Sequence, residues 1–298
     1  MKHLYVLLLL FISILTAGAQ EKPGIEELTQ EIDSLFTAAQ GDYALAFKEL
    51  GKEKEPILIN EKEEFHAAST MKTPVMIEIF RQAEEGKFSL QDSLTVKNEF
   101  RSIVSGKPFS LDINQDSGDG LYSLIGSKVS IQDMMVDMII HSSNLATNLL
   151  IELVDARKVT GTMRKLGAED ILVLRGVEDI EAYEAGLSNT TTAYDLMLIF
   201  EMIANGEAVS DSADAAMIEV LLDQKHNDII PAQLPAGVKV AHKTGSITGV
   251  RHDSGIVFLP DGKKYILVLL SKNMEDPEKG VEMMARISRL IYEQVAEE

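Results

Sequence analysis

The chain has 298 residues, with 47 acidic side chains against 28 basic ones, a formal net charge of −19 and no cysteine. A field this negative repels phosphate backbones, which sets nucleic-acid partners aside. The missing thiols exclude cysteine nucleophiles and cysteine-ligated zinc.

Residues 1–19 start with Lys2, continue through an apolar run over 4–15 and finish on Ala17, Gly18 and Ala19. This is the pattern of a secretory signal peptide cut before Gln20. The apolar run is shorter than the roughly 20 residues that span a bilayer, and no cysteine stands at the cut to take a lipid. The expectation is a periplasmic or secreted domain over residues 20–298, a monomer with no stable membrane insertion, and long enough for one core without disulfides.

The mature part opens with Ile25, Leu28, Ile32, Leu35 and Phe36 at spacings of mostly three and four, the stripe of an amphipathic helix. Two short β-prone segments follow at 43–47 and 57–59, joined by a charged turn at 51–55, and read as antiparallel neighbours. From about residue 70 to 224 the pattern is helical, most apolar over 134–153. Strands return at 238–241, 255–259 and 265–270, the last two joined by Pro260, Asp261 and Gly262. Val281, Met284, Ile287, Leu290, Ile291 and Val295 mark a final helix. The fold class is therefore α+β: one antiparallel sheet flanked by the N- and C-terminal helices, with a mainly helical lobe inserted. The sheet lobe takes about 20–68 and 232–298, the helical lobe about 69–231, and a site is sought between them.

Three polar groups stand out. Ser69 and Lys72 lie three apart at the start of an apolar helix, so both emerge on one face, where a neutral amine can activate a hydroxyl. Ser142 and Asn144 follow an apolar run, with Asn148 one helical turn beyond. Lys243, Thr244 and Gly245 sit on a strand, where a glycine lets a ligand approach the backbone. Singly, each also fits a helix cap or a surface charge.

Their order and context, SxxK opening a helix, SxN in the helical lobe and KTG on a strand, resemble the penicillin-recognising serine hydrolases, class A β-lactamases among them. The resemblance covers the whole mature chain and implies a β-lactamase/transpeptidase-like fold. It further implies that Ser69 becomes acylated and that Lys72 is a base, its pKa lowered by the nearby Lys243. Ser142 would relay a proton to the leaving nitrogen, and Asn144 would bind the substrate amide. The N–H groups of Ser69 and Ser246 would hold the oxyanion, and Thr244 with Lys243 would receive a carboxylate. The substrate would be a β-lactam or a cell-wall peptide, and no cofactor or metal is implied.

Departures from the family pattern bear on mechanism. Glu178, 36 residues past Ser142, is the candidate deacylating base, but Glu181 and Ala182 stand where the ExxLN pattern has Leu and Asn. Glu181 and Glu184 are weaker substitutes. Arg175 has no acidic partner at the far end of its loop, where Ser188, Asn189 and Thr190 occur. Ser254 falls near a place where the family often has a carboxylate-binding arginine, and Arg251 or His252 would have to compensate. The segment 98–122 is long enough to reshape the mouth of the cleft. Within it Asp112, Asn114 and Asp116 open like a calcium loop, but Ser117 and Ser123 then break the pattern. His66, His141, His226, His242 and His252 lack HxH or HExxH spacing. The leading expectation is an exported β-lactamase working through an acyl-enzyme. A penicillin-binding D,D-peptidase or acyl-ester hydrolase with slow deacylation comes next, and a non-catalytic sensor is third.

Overall fold

A computed structural model describes residues 24–296 of the chain, so the expected signal peptide and its cleavage site lie outside the described residues. Five strands, β1 (Asp42–Glu49), β2 (Ile57–Ile59), β3 (Lys239–Ile247), β4 (Val250–Phe258) and β5 (Lys264–Lys272), form an antiparallel sheet in the order β2-β1-β5-β4-β3. The two ends of the sequence thus meet at the β1–β5 pairing, where Leu45 faces Leu269 and Phe47 faces Leu267.

Both faces of the sheet are buried, because successive side chains alternate along β1 and β5. Tyr43, Leu45, Phe47, Leu267 and Leu269 face α1 (Ile25–Ala38) and the C-terminal helix, which bury Leu28, Ile32 and Phe36 together with Met284, Ile287 and Ile291. Ala44, Ala46, Ile266, Val268 and Leu270 face the helical lobe. That lobe is built on α2 (Lys72–Glu84), α3 (Ile131–Ile140), α4 (Asn144–Val154), α5 (Ala156–Lys165), α6 (Ile180–Glu184), α7 (Ala193–Asn205) and α8 (Asp211–Leu222). The C-terminal helix is α9 (Pro277–Ala296).

Two features differ from the pattern read along the sequence. The apolar stretch 134–153 is two helices, because the chain breaks at Ser142, which takes a left-handed φ of 62°. The Ser143 hydroxyl then caps α4 by accepting from the Ala146 N–H. Strand β3 runs to Ile247, well beyond the apolar run at 238–241, because its polar residues pair along their length with β4. Pairing rather than burial sets its end.

Gly255 on β4 lies opposite His242 on β3, and a Cβ there would come 2.4 Å from the Ala241 carbonyl oxygen and 2.5 Å from the His242 Cβ. The Gly255→Ala protein is expected to lose about 1–3 kcal/mol, the usual scale for overpacking. Urea unfolding checks this, and an unchanged midpoint would show that the strands spread at no cost.

Candidate active site

Strands and helices of both lobes converge on one cleft. Its wider part, about 380 Å3, is lined by Ser69, Ser142, Asn144, Glu178 and Ser246 among others. A second part, about 300 Å3, shares Ser69, Ser142 and Ser246 and adds Thr244, Gly245 and Arg251. Larger hollows lie elsewhere. One of about 790 Å3 sits beside α1 and β2, and one of about 760 Å3 lies behind the loop after Arg175; neither is lined by Ser69, Ser142 or the KTG residues.

Ser69 lies in a 3-10 turn, Ala68–Met71, which runs directly into α2, so Lys72 is that helix's first residue. The turn is set from behind by two histidines. His66 Nδ1 accepts the Ala68 N–H at 3.0 Å, and Ala68 takes a left-handed φ of 46°. His252 Nδ1 accepts the Ser271 N–H at 3.1 Å, which leaves Nε2 to donate to the His66 carbonyl at 2.9 Å. Burial pushes His252 down to about 4, so its ring is neutral. It cannot supply the cation that a substrate carboxylate would want, and its work is to fix the Ser69 turn. Gly245 of β3 packs against the same turn: a Cβ there would lie 3.2 Å from both the Ala68 Cβ and the Thr70 Cγ2.

Lys72 and Lys243 are both fully buried. Lys72 Nζ donates to the Ser142 carbonyl at 2.7 Å, to Ser142 Oγ at 3.1 Å and to Asn144 Oδ1 at 3.1 Å. Lys243 Nζ donates to the same Ser142 Oγ at 3.1 Å and to the Thr244 carbonyl at 3.0 Å. One hydroxyl therefore stands between two amines. Burial lowers Lys72 to about 7 against the attraction of Asp116, Glu178 and Asp137. Lys243 is pushed well below its ordinary value, first by burial and then by Lys72. The sequence suggests Lys243 as the cause of the Lys72 shift; desolvation is the cause, and the repulsion bears on Lys243 instead. The Ser69 hydroxyl has no hydrogen-bond partner among the described residues, and the lysine rests on Ser142 and Asn144 rather than on the nucleophile.

Glu178 is brought to the cleft by a chain of side-chain contacts. Asn148 pairs with the Val177 backbone, accepting its N–H at 2.6 Å and donating to its carbonyl at 3.0 Å. Glu178 follows with a φ of 61°, and its Oε1 accepts from Asn144 Nδ2 at 2.8 Å. Asn144 thus joins Lys72 to Glu178 through the two ends of its amide. Burial raises the Glu178 carboxyl, opposed by its bond to Asn144.

The loop carrying Glu178 is closed without an ion pair. Arg175 Nε donates to the Leu187 carbonyl at 2.9 Å, while Asn189 Oδ1 accepts from the Leu174 and Arg175 N–H groups and its Nδ2 donates to the Arg175 carbonyl. Carbonyls and one asparagine do what an acidic partner would do. The outside of the loop is held by the 98–122 segment, whose short hairpin pairs Phe100–Arg101 with Pro108–Phe109. Asp179 accepts the Ile103 N–H at 2.8 Å, and Glu181 accepts from Ser105 and Lys107. Glu181 is thereby removed as a substitute base. Asp116 is no calcium ligand either: its carboxylate accepts N–H groups of Asn144 and Leu145.

Arg251 lines the smaller part of the cleft, but its Nη1 donates to the Ile247 and Val250 carbonyls and steadies the β3–β4 turn. The sequence did not single out Ile180 and Tyr183, which line the wider part and are 60% and 58% exposed. Nor did it pair Asn189 with the Arg175 backbone or Asp116 with the Asn144 N–H, 14 and 28 residues away. For Asn148 a signal existed, its place one turn after Asn144.

A family described as the beta-lactamase enzyme family matches residues 27–295. The extended-spectrum beta-lactamase PER-1 of Pseudomonas aeruginosa is 24% identical over 249 residues, 80% of this chain and 78% of its own. A beta-lactamase of Bacteroides uniformis is 26% identical, covering 95% of this chain and 98% of its own. A solved structure of a PBP-A variant, an acyl-enzyme complex with penicillin G, has a TM-score of 0.77 at 26% identity, over 92% of this chain and 98% of that one. The fold is β-lactamase/transpeptidase-like.

Asp179 is buried and ties the Ile103 and Ala182 N–H groups together. Asp179→Ala is expected to speed amide exchange across 102–107 and 176–187 while leaving the sheet protected. Hydrogen exchange read by mass spectrometry tests this, and unchanged protection of both segments would contradict it.

Proposed function

The chain belongs to the beta-lactamase enzyme family, and on that premise we propose that it is an exported β-lactamase that opens the cyclic amide through an ester on Ser69. One observation carries this reading: the Ser142 hydroxyl accepts from the Nζ atoms of two buried lysines at 3.1 Å each, on the wall of the cleft that Ser69 also lines. A binding protein has no need of two desolvated amines about one hydroxyl, whereas a proton relay requires them.

In the first half-reaction the neutral amine of Lys72 takes the Ser69 proton as Oγ adds to the carbonyl carbon. The N–H groups of Ser69 and Ser246 receive the oxyanion; a donor so placed contributes about 10²–10³ in rate. As the ring C–N bond breaks, the nitrogen takes the Ser142 proton and Lys72 returns its own to Ser142. Lys243, Thr244 and Arg251 flank the place where a substrate carboxylate would lie. Ile180 and Tyr183 offer an apolar wall to its amide substituent.

In the second half-reaction Glu178 draws a proton from water, which adds to the ester, and the Ser69 oxygen leaves as the hydroxyl on receiving that proton back, directly or through Lys72. Burial favours this role, since a carboxyl raised toward neutrality is a better base. The runner-up, a penicillin-binding D,D-peptidase or acyl-ester hydrolase that releases β-lactams slowly, is favoured by the left-handed Glu178 and its hold on Asn144. It is favoured too by the likeness to PBP-A. A sensor that only traps ligand is the third reading. Export and a periplasmic or secreted location belong to the proposal; no helix among the described residues is long and apolar enough to cross a membrane.

A chromogenic cephalosporin with intact-mass sampling separates these readings. Steady turnover is expected, with Ser69→Ala inert; a lasting stoichiometric adduct would favour the runner-up, and no change at all the sensor. Glu178→Gln is expected to leave acylation intact and to let the adduct accumulate, and parental turnover in that variant would remove Glu178 from the mechanism.

The acylation rate should rise with pH along a limb centred near 7, because protonated Lys72 cannot accept the Ser69 proton and its pKa in the fold is about 7. Stopped-flow acylation at varied pH measures this. A rate independent of pH through that range would exclude Lys72 as the base.

A further inference from the structure

The break between α3 and α4 puts Ser142 and Asn144 in place, and its geometry is imposed by a residue far away in sequence. Asp116 Oδ1 accepts the Asn144 N–H at 2.8 Å and the Gly118 N–H at 3.0 Å, while Oδ2 accepts the Leu145 N–H at 2.9 Å and the Tyr122 hydroxyl at 3.1 Å. One carboxylate thus joins the first turn of α4 to the 116–122 segment. The contact is close as well as polar: a Cβ on buried Gly118 would lie 2.6 Å from the Ser143 Cβ. Tyr122 is kept protonated by burial and by the neighbouring Asp116, so its hydroxyl remains a donor.

The bond to Asn144 leads to the reacting groups in one step. The Asn144 N–H is fixed by Asp116, and the Asn144 side chain holds Lys72 Nζ at one end and Glu178 at the other. Ser142 lies two residues before Asn144 in a left-handed conformation that L residues seldom adopt unaided. The tight 116–118 turn against Ser143 gives that conformation its support. The charge has a direction too: a carboxylate at a helix N-terminus is favourable, and this one also attracts the Lys72 ammonium.

We propose that Asp116 is a positioning residue for acylation, holding the Ser142–Asn144 turn so that Ser142 and Asn144 meet Lys72 in the geometry that proton transfer needs. The inference rests on the acyl-enzyme reading above and assigns the long 98–122 segment a part in it. The groups facing Lys72 are Asp116, Glu178 and Asp137, which favour its cation, and Lys243, whose own amine is held down by burial and by Lys72. Asp116→Asn keeps one acceptor oxygen and removes the charge. It should therefore slow acylation and also make Lys72 easier to deprotonate.

The test is single-turnover acylation by a chromogenic cephalosporin across pH, on the parent, Asp116→Asn, Asp116→Ala and Ser130→Ala. Ser130 caps α3 through the Asp133 N–H and serves as a control for a lost helix cap. For Asp116→Asn a loss of about 100-fold in the acylation plateau is expected, the scale of a slight misplacement of reacting groups, with the acid limb moved to lower pH. Asp116→Ala should lose more, and Ser130→Ala should retain both the parental plateau and the parental limb at a matched melting temperature. A plateau within a few-fold of the parent in Asp116→Asn, or a loss with an unmoved acid limb that Ser130→Ala reproduces, would overturn the proposal. If Asp116→Asn does not fold, Tyr122→Phe, which removes one donor from the carboxylate, should give a smaller loss of the same kind, and parental kinetics there would count against the proposal. A parent that forms no adduct at all would instead sink the acyl-enzyme reading itself.

Discussion

Everything in this cleft follows from two lysines taken out of water around a single hydroxyl. An ammonium group in a protein interior is costly to desolvate, and Lys72 and Lys243 are both fully buried with Ser142 Oγ between them. The lowering of Lys72 from 10.5 to about 7 corresponds to roughly 5 kcal/mol of preference for the neutral amine. The fold therefore carries a standing cost in order to keep a base available near neutral pH. The groups that set that cost come from three separate stretches of chain: α2, the α3–α4 break and β3.

The surroundings are organised to keep that arrangement from relaxing. Three residues at the site, Ala68, Ser142 and Glu178, take left-handed backbone conformations without being glycine. Such conformations persist only where neighbours over-determine them, and here each has its brace. His66 and His252 stand behind Ala68, the Gly118 turn packs against Ser143 beside Ser142, and Asn148 holds the residue before Glu178. The long 98–122 segment contributes to two of these regions. Its hairpin binds Asp179 and Glu181 on the outside of the Glu178 loop, and its Asp116 takes the first turn of α4.

Several substitutions relative to the family pattern become intelligible as changes of partner. Arg175 finds the Leu187 carbonyl rather than a carboxylate, and Asn189 closes the loop neck through backbone groups on both sides. Ser143, Asp116 and Gly118 together define the turn that follows Ser142. At Arg175 a neutral carbonyl does the work of a carboxylate, and hydrogen bonds to backbone groups hold both turns in place.

The sequence by itself determined the α+β class, the pairing of the first two strands, the apolar faces of the terminal helices and the motif residues Ser69, Lys72, Ser142, Asn144 and Lys243. Those properties are written in periodicity and in short motifs: Leu28, Ile32 and Phe36 mark a helix face at any tertiary arrangement, and SxxK, SxN and KTG are local spacings. Tertiary structure alone decided which atom each polar group meets. Asp116 and Asn144 are 28 residues apart, Asp179 and Ile103 are 76 apart, and Lys243 and Ser142 are 101 apart. No pattern along a chain reports the direction of a carboxylate or an amine across such separations, because a hydrogen bond depends on ångström-scale approach that only the packed lobes impose. For the same reason the cause of the Lys72 shift, burial rather than its neighbour, was not legible: solvent exclusion is a property of the closed core and not of any one residue in it.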